Sequence, residues 1–256
     1  MKKILGVYHL ACMNHYIDIF CEQFSLLHSS GLYRRCNKIL IYISLYNNDL
    51  ILDSKLKEYD PDNKFLIFKD ITNTREKFAI NDFRNHIEDE AHMIYFHSKS
   101  VSHTQKNNMK IFHKKQSWRE ILNFYTISKW KISLELLKQY DAVGCFLTRW
   151  PTYHFSGNFW WANIEYVKNI PNCEDFYLAP EIFIGEHFKN NFINLTEGKE
   201  FIVDLHSRRT DEDILNNINV NFIDNEHFWY HKPDIFLVEH YKKTKYWEDF
   251  YETRRT

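Results

Sequence analysis

Apolar and polar positions along the first 150 residues switch between two periods. Residues 3–9 form a short, almost unbroken apolar run, which predicts a buried strand. Residues 13–30 carry Tyr16, Ile19, Phe20, Phe24 and Leu27 at helical spacing, and Gly31 stands where a helix C-cap would fall. Residues 38–46 are the clearest strand, Asn47-Asn48-Asp49 turns the chain, and residues 64–69 read as another strand. A polar helical stretch from about Thr74 to Glu88 leads to a strand at 92–97, and residues 99–116 read as a polar loop. Ser117 reads as the N-cap of a long helix from Trp118 to about Gln139, with Glu120 completing a capping box. A strand at 142–148 and an aromatic loop at 149–161 follow.

That order, β-α-β-β-α-β-α-β, implies an α/β layered fold with a mainly parallel sheet. Past residue 190 the pattern weakens to a strand at 200–206 and a charged, aromatic surface helix at 242–256. No internal repeat or low-complexity linker divides the chain, so residues 1–256 read as one domain with a C-terminal extension from 201.

Composition narrows the classes. The net charge of −1 provides no global field for a nucleic-acid duplex, and basic runs such as Lys114-Lys115 and Lys242-Lys243 read as solvated faces. Five scattered cysteines without a CxxC pair fit free thiols in a reducing, cytoplasmic setting better than a disulfide framework. No run of about 18 apolar residues predicts a membrane span, and the first residues read as a strand rather than an export signal.

In an open α/β sheet, ligands bind outside the carboxyl ends of the strands. Three polar features fall there. His9 ends the first strand. His97-Ser98-Lys99 ends the strand at 92–97, with Lys99 able to neutralise a phosphate and Ser98 able to bond its oxygens. The third is His154-Phe155-Ser156-Gly157-Asn158-Phe159-Trp160-Trp161-Ala162, a small polar turn between large rings. Gly157 permits close backbone approach or φ > 0. Ser156 and Asn158 could bond sugar hydroxyls, Trp160 or Trp161 could provide a stacking platform, and Phe155 and Phe159 read as core. Pro180 at a first helical position puts Glu181 at a helix start, where a carboxylate complements the dipole or serves as a general base. Glu165, Glu174, Asp175 and Glu186 are rivals in that region. Asp60-Pro61-Asp62 matches the divalent-metal pattern Asp-x-Asp, but in a turn before a strand, so no residue is assigned as a metal ligand. There is no nucleophile elbow, Walker loop or dinucleotide fingerprint.

Together these residues resemble a group of small GT-A-type glycosyltransferases of bacterial surface-polysaccharide clusters and large DNA viruses. The likeness rests on Gln23 with Ser30-Gly31-Leu32-Tyr33, Tyr95 to Lys99, Trp118-Arg119-Glu120, Tyr140 to Gly144, His154 to Ala162, and Tyr177-Leu178-Ala179-Pro180-Glu181. It covers about residues 1–190, and the Ser-Gly-Asn-Phe-Trp-Trp-Ala block is its most specific part. The resemblance implies a GT-A-like, Rossmann-type domain: a nucleotide-binding half at 1–115, an acceptor and catalytic half at 116–200, and an extension at 201–256. It implies transfer from a nucleoside-diphosphate sugar to a glycan acceptor in surface polysaccharide or glycoconjugate synthesis. His9, His97, Ser98 and Lys99 would hold the donor, and Glu181 would take the acceptor's proton. The family pattern has Gly after the Lys, where this chain has Ser100. A role for Mn2+ or Mg2+, and peripheral contact with the inner face of a membrane, stay open. Two other readings stay beside it: a non-catalytic carbohydrate-binding or assembly protein of the same fold, and a single-strand nucleic-acid binder, which the neutral charge disfavours.

Overall fold

A computed structural model describes residues 2–72, 75–87, 90–102, 109–148, 152–186 and 191–197. The strand expected at 200–206 and the helix expected at 242–256 lie outside the described residues.

The first strand, β1 (Lys3–Ala11), is followed by helix α1 (Tyr16–Ser29), the short α2 (Leu32–Arg35) and β2 (Lys38–Ser44). Helix α3 (Leu50–Glu58) leads to β3 (Phe65–Lys69), and helix α4 (Arg75–Asp82) precedes β4 (Ala91–His97). Then come α5 (Met109–Asn123), a π-helical turn over Phe124–Ser128, α6 (Trp130–Leu136) and the short strands β5 (Ala142–Gly144), β6 (Leu147–Thr148), β7 (His154–Phe155) and β8 (Trp160–Asn163). The last elements are α7 (Ile164–Lys168), α8 (Ala179–Ile182) and β9 (Phe192–Asn194).

Among the described residues, seven strands form one sheet in the order β3-β2-β1-β4-β8-β5-β9, and β6 pairs with β7 in a small ribbon. Within the seven, β8 alone runs antiparallel to its neighbours. This is the Rossmann-type layered α/β domain with a mainly parallel sheet expected from the sequence. The chain steps outward from β1 to β2 and β3, then returns to the other side of β1 as β4. In open α/β sheets ligands bind where the strand order reverses, and here that point lies at the carboxyl ends of β1 and β4.

The central strands read as unbroken apolar runs because both of their faces are covered. Ile4, Tyr8, Leu10, Ile39, Ile41, Ile43, Ile94, Phe96 and Trp161 pack on one face with Phe20, Phe24 and Leu27 of α1 and Ile121 and Leu122 of α5. Leu5, Val7, Leu40, Tyr42, Met93, Tyr95 and Trp160 pack on the other with Ala79 and Ile80 of α4 and residues of α7 and α8. The two-residue period of a strand therefore directs Tyr95 and His97 of β4 toward the face that α4 covers.

Four elements depart from the sequence reading. Helix α3 was not expected: only the turn at Asn47-Asn48-Asp49 was read between the strands at 38–46 and 64–69, yet β2 and β3 are parallel and need a crossover. Asp49 caps it, accepting from the Ile51 and Leu52 amides. Ser117 is not an N-cap: it lies buried inside α5, which begins in the stretch expected as loop. Glu120 accordingly closes no capping box and instead accepts from Gln116. The helix expected as continuous to Gln139 is interrupted by the π turn, and the strand expected over 142–148 divides into β5 and β6. No helix among the described residues is long and apolar enough to cross a membrane.

Candidate active site

His9 and His97 are register partners at the carboxyl ends of β1 and β4. Both are buried. His9 Nε2 lies 3.1 Å from Ser44 Oγ, and burial lowers the ring's pKa to about 4. His97 Nε2 lies 2.9 Å from the Gly157 carbonyl, and burial, reinforced by Lys99, lowers its pKa to about 3. Both rings are neutral at neutral pH.

The loop after β4 is tied down from below. Gln23 Nε2 donates to the His97 carbonyl and Arg119 Nη1 to the Lys99 carbonyl. Arg119 also makes a bidentate pair with Glu22, at 3.1 and 2.8 Å. Ser98 is part of this scaffold: its amide donates to the His9 carbonyl and its hydroxyl accepts from the Ala11 amide. Ser100 has φ +75°, a left-handed conformation that favours glycine. Its hydroxyl donates to the Lys115 carbonyl, so a serine holds the bend that the related pattern gives to glycine. The Lys99 ammonium is left over the Trp118 ring, 4.6 Å from its centroid, and Lys115 lies 4.7 Å from the same ring.

Strand β8 runs antiparallel to β4, so the turn before it reaches the same edge of the sheet. Gly157 has φ +97° and Asn158 φ +56°. A Cβ on Gly157 would lie 2.7 Å from Leu122 and 3.3 Å from Trp118 Nε1. The close approach expected at this glycine is therefore to the protein's own side chains. The turn is pinned by two glutamates: the Gly157 amide donates to Glu181 Oε1 at 2.8 Å, and Asn158 Nδ2 donates to Glu76 Oε2 at 2.6 Å.

Those glutamates differ electrostatically. Burial pushes the Glu181 carboxyl upward, but Lys99, His154 and the Gly157 amide outweigh it and hold its pKa below the ordinary value. Burial dominates at Glu76 and raises its pKa, against the pull of His9 and Lys99.

Several expected site residues are corrected. Trp160 and Trp161 are wholly buried and point to opposite cores. Trp160 stacks on Tyr95 with centroids 5.2 Å apart, and Trp161 Nε1 donates to the Thr126 carbonyl. Neither presents a face to a sugar. The Asn158 amide is spent on Glu76 and on Trp160 Nε1, so it builds the turn rather than meeting a ligand. Ser156 is also buried, and its hydroxyl has no hydrogen-bond partner among the described residues. Phe155 and Phe159 are core, as expected. Two residues at this edge went unassigned in the sequence. Glu76 sits in the first turn of a helix read as polar surface, and its cue was that this helix starts on the sheet's carboxyl side. Trp118 was read as the start of a long helix and quoted in the likeness, with no site role, yet it is the partly exposed ring beside Gly157.

Of the rival carboxylates, Glu165 pairs with Lys2 and the exposed Asp175 with Lys77. Asp60 Oδ1 accepts from Tyr33 and the Lys64 amide, and Oδ2 accepts from the Phe65 amide, which locks the turn into β3 at the opposite edge of the sheet. Among the described residues, no group of three His, Cys, Asp or Glu could hold a metal ion. In the loop after β4, the Ser98 hydroxyl is engaged with the Ala11 amide and Lys99 is a cation, so neither offers a ligand to a divalent ion.

A family model described as a domain of unknown function matches residues 10–200. No curated protein matches the sequence. Similar solved structures include a mannosyltransferase, PcManGT, from Pyrobaculum calidifontis in complex with GDP-Man and Mn2+, at 9% identity and TM-score 0.46, over 75% of this chain. The match covers 54% of that protein, so this chain spans about half its length. HddC from Yersinia pseudotuberculosis is similar at 12% identity and TM-score 0.44, over 75% of this chain and 88% of that one. The 4-diphosphocytidyl-2C-methyl-D-erythritol synthase from Anaerococcus prevotii is similar at 9% identity and TM-score 0.40, over 84% and 96%.

Proposed function

We propose, for a chain that belongs to the family Domain of unknown function (DUF8361), that it transfers a sugar from a nucleoside diphosphate to a glycan hydroxyl. One observation carries this reading: the turn at Gly157 joins Glu181, which accepts its amide, to His97 at the end of β4, and so brings a carboxylate to the edge of the sheet that carries Lys99. Lys99 would balance the charge that builds on the leaving diphosphate, without a metal ion. Its neighbour Trp118, rather than Trp160 or Trp161, would lie under the donor ring. Glu181 would take the acceptor's proton. The bond from acceptor oxygen to the anomeric carbon forms as the bond to phosphate breaks, and the nucleoside diphosphate leaves with the electron pair. Direct displacement of this kind inverts the anomeric centre. A lowered pKa makes Glu181 a modest base, but it keeps the group ionised throughout the neutral range. The reading extends to synthesis of surface polysaccharide or glycoconjugate at a cytoplasmic membrane face, which the resemblance alone supports.

The test begins with a thermal-shift screen of nucleotide sugars, with and without Mn2+, since a bound ligand raises apparent stability. One nucleoside-diphosphate sugar should stabilise the protein without the metal. Glu181→Gln should retain that shift and lose transfer by roughly 100-fold or more. Full turnover in Glu181→Gln would remove it as the base, and strict dependence on Mn2+ would overturn the role of Lys99.

A further inference from the structure

A polar network shared by α1 and α5 lies under the loop after β4. Glu22 Oε1 accepts from Arg119 Nε at 3.1 Å and from Asn123 Nδ2 at 2.8 Å, and Oε2 accepts from Arg119 Nη2 at 2.8 Å. Asn123 Oδ1 accepts from Gln23 Nε2 at 3.0 Å. Two donors of this network reach up into the loop. Gln23 Nε2 meets the His97 carbonyl at 3.1 Å, and Arg119 Nη1 meets the Lys99 carbonyl at 3.2 Å. Gln23, Arg119 and Asn123 are all buried. Because Nε and Nη2 are spent on one carboxylate, Glu22 fixes the guanidinium plane and so the direction of Nη1. The Lys99 carbonyl lies in the same peptide plane that sets φ of Ser100, +75°. A serine in that left-handed region is strained and persists only where its surroundings hold it. Arg119 holds one side of that bend, and the Ser100 hydroxyl, donating to the Lys115 carbonyl, holds the other.

We propose that Glu22 and Arg119 are a positioning pair: they hold the peptide after Lys99 in its strained orientation, and so keep Lys99 set for an anionic ligand before that ligand arrives. Arg119 acts through the Lys99 backbone. The Lys99 ammonium is then aimed by that backbone and by the Trp118 ring, 4.6 Å away at its centroid. A pair that merely tied α1 to α5 would need only the two bonds between the guanidinium and Glu22. The third bond, into the loop, gives the pair its second task. A lysine at 119 would keep a charge opposite Glu22 but lack the planar fork that reaches the carboxylate and the carbonyl together. The proposal rests on the reading above in one respect, the choice of a diphosphate as the anion that Lys99 meets.

Calorimetric titration of the full chain with inorganic pyrophosphate tests it, using the wild type, Arg119→Lys, Lys99→Met and the double variant. Lys99→Met should weaken binding by roughly tenfold or more. Arg119→Lys should weaken it by roughly threefold or more, and the double variant should bind no more weakly than Lys99→Met alone, because residues that act through one group are not additive. Glu22→Gln, which loosens the guanidinium without replacing it, should show a smaller loss of the same kind. Wild-type affinity in a folded Arg119→Lys, or losses that multiply in the double variant, overturns the proposal. Hydrogen exchange supplies a second readout that needs no ligand. The amides of Ser98, Lys99 and Val101 are all hydrogen-bonded within this region. In Arg119→Lys they should exchange faster, while the amides of β1 and β4 keep their wild-type rates. Unchanged exchange at those three amides also overturns the proposal. If the wild type bound no pyrophosphate, the role of Lys99 in transfer would fall, and the exchange rates would still decide whether Arg119 holds the loop.

Discussion

Gly157 is where the sequence reading was nearest the structure and still missed the cause. A left-handed backbone was expected there, and φ is +97°. What crowds its missing Cβ is Leu122 and Trp118, not a ligand. Gly157→Ala would strain the backbone and collide with Leu122. We expect a loss of about 1–3 kcal/mol, read by urea unfolding, and a weakened hydrogen bond from that amide to Glu181. Wild-type stability in Gly157→Ala would mean that the turn adopts another conformation. The neighbouring tryptophans were misread for a related reason. Trp160 and Trp161 are adjacent in sequence but lie on opposite faces of β8, so two rings in a row mark a strand buried on both sides, not a platform. Trp118 gave a weaker cue because nothing local marks it as the ring beside Gly157.

Among the elements, β1, β2 and β4 were legible because a strand covered on both faces needs no alternation to be recognised. Helix α3 was not, because its apolar letters mislead: Leu50 is 81% and Ile51 65% exposed, while Leu52 and Leu56 are buried. Its clearest signal is the cap. Asp49 accepts from two orphan amides and also from the Tyr16 hydroxyl, which ties α3 to α1. Asp49→Ala should destabilise the protein by about 1 kcal/mol, while Asp49→Asn should cost a few tenths. Equal melting temperatures for the wild type and Asp49→Ala would show that the α3 start is held by other contacts. Glu76 was illegible for a topological reason. Its partners Tyr95, His97 and Asn158 come from β4 and the turn before β8, and neither the sheet order nor the face covered by α4 can be read from local pattern.

At the scale of the whole molecule, the buried site sets how stability responds to pH. Burial lowers His9 to about 4 and His97 to about 3, whereas both rings protonate near 6.5 once the chain unfolds. Below about pH 6.5 the unfolded chain therefore binds more protons, and stability falls as pH drops toward the folded values. Glu76 acts in the opposite sense. Its raised pKa favours the protonated carboxyl in the folded state, so it opposes that fall above the ordinary carboxylate range. Each histidine adds up to one proton taken up on unfolding, a slope of up to about 1.4 kcal/mol per pH unit apiece. Glu181, held below its ordinary pKa, adds to the loss only at lower pH. Urea midpoints should thus be highest near neutrality and fall between about pH 6.5 and 5. In Glu76→Gln the opposing carboxyl is gone, so the fall should steepen. A midpoint that stayed level across that range in both proteins would mean that His9 and His97 become charged without unfolding. The neutral rings on which this edge of the sheet is built would then be the wrong description of it.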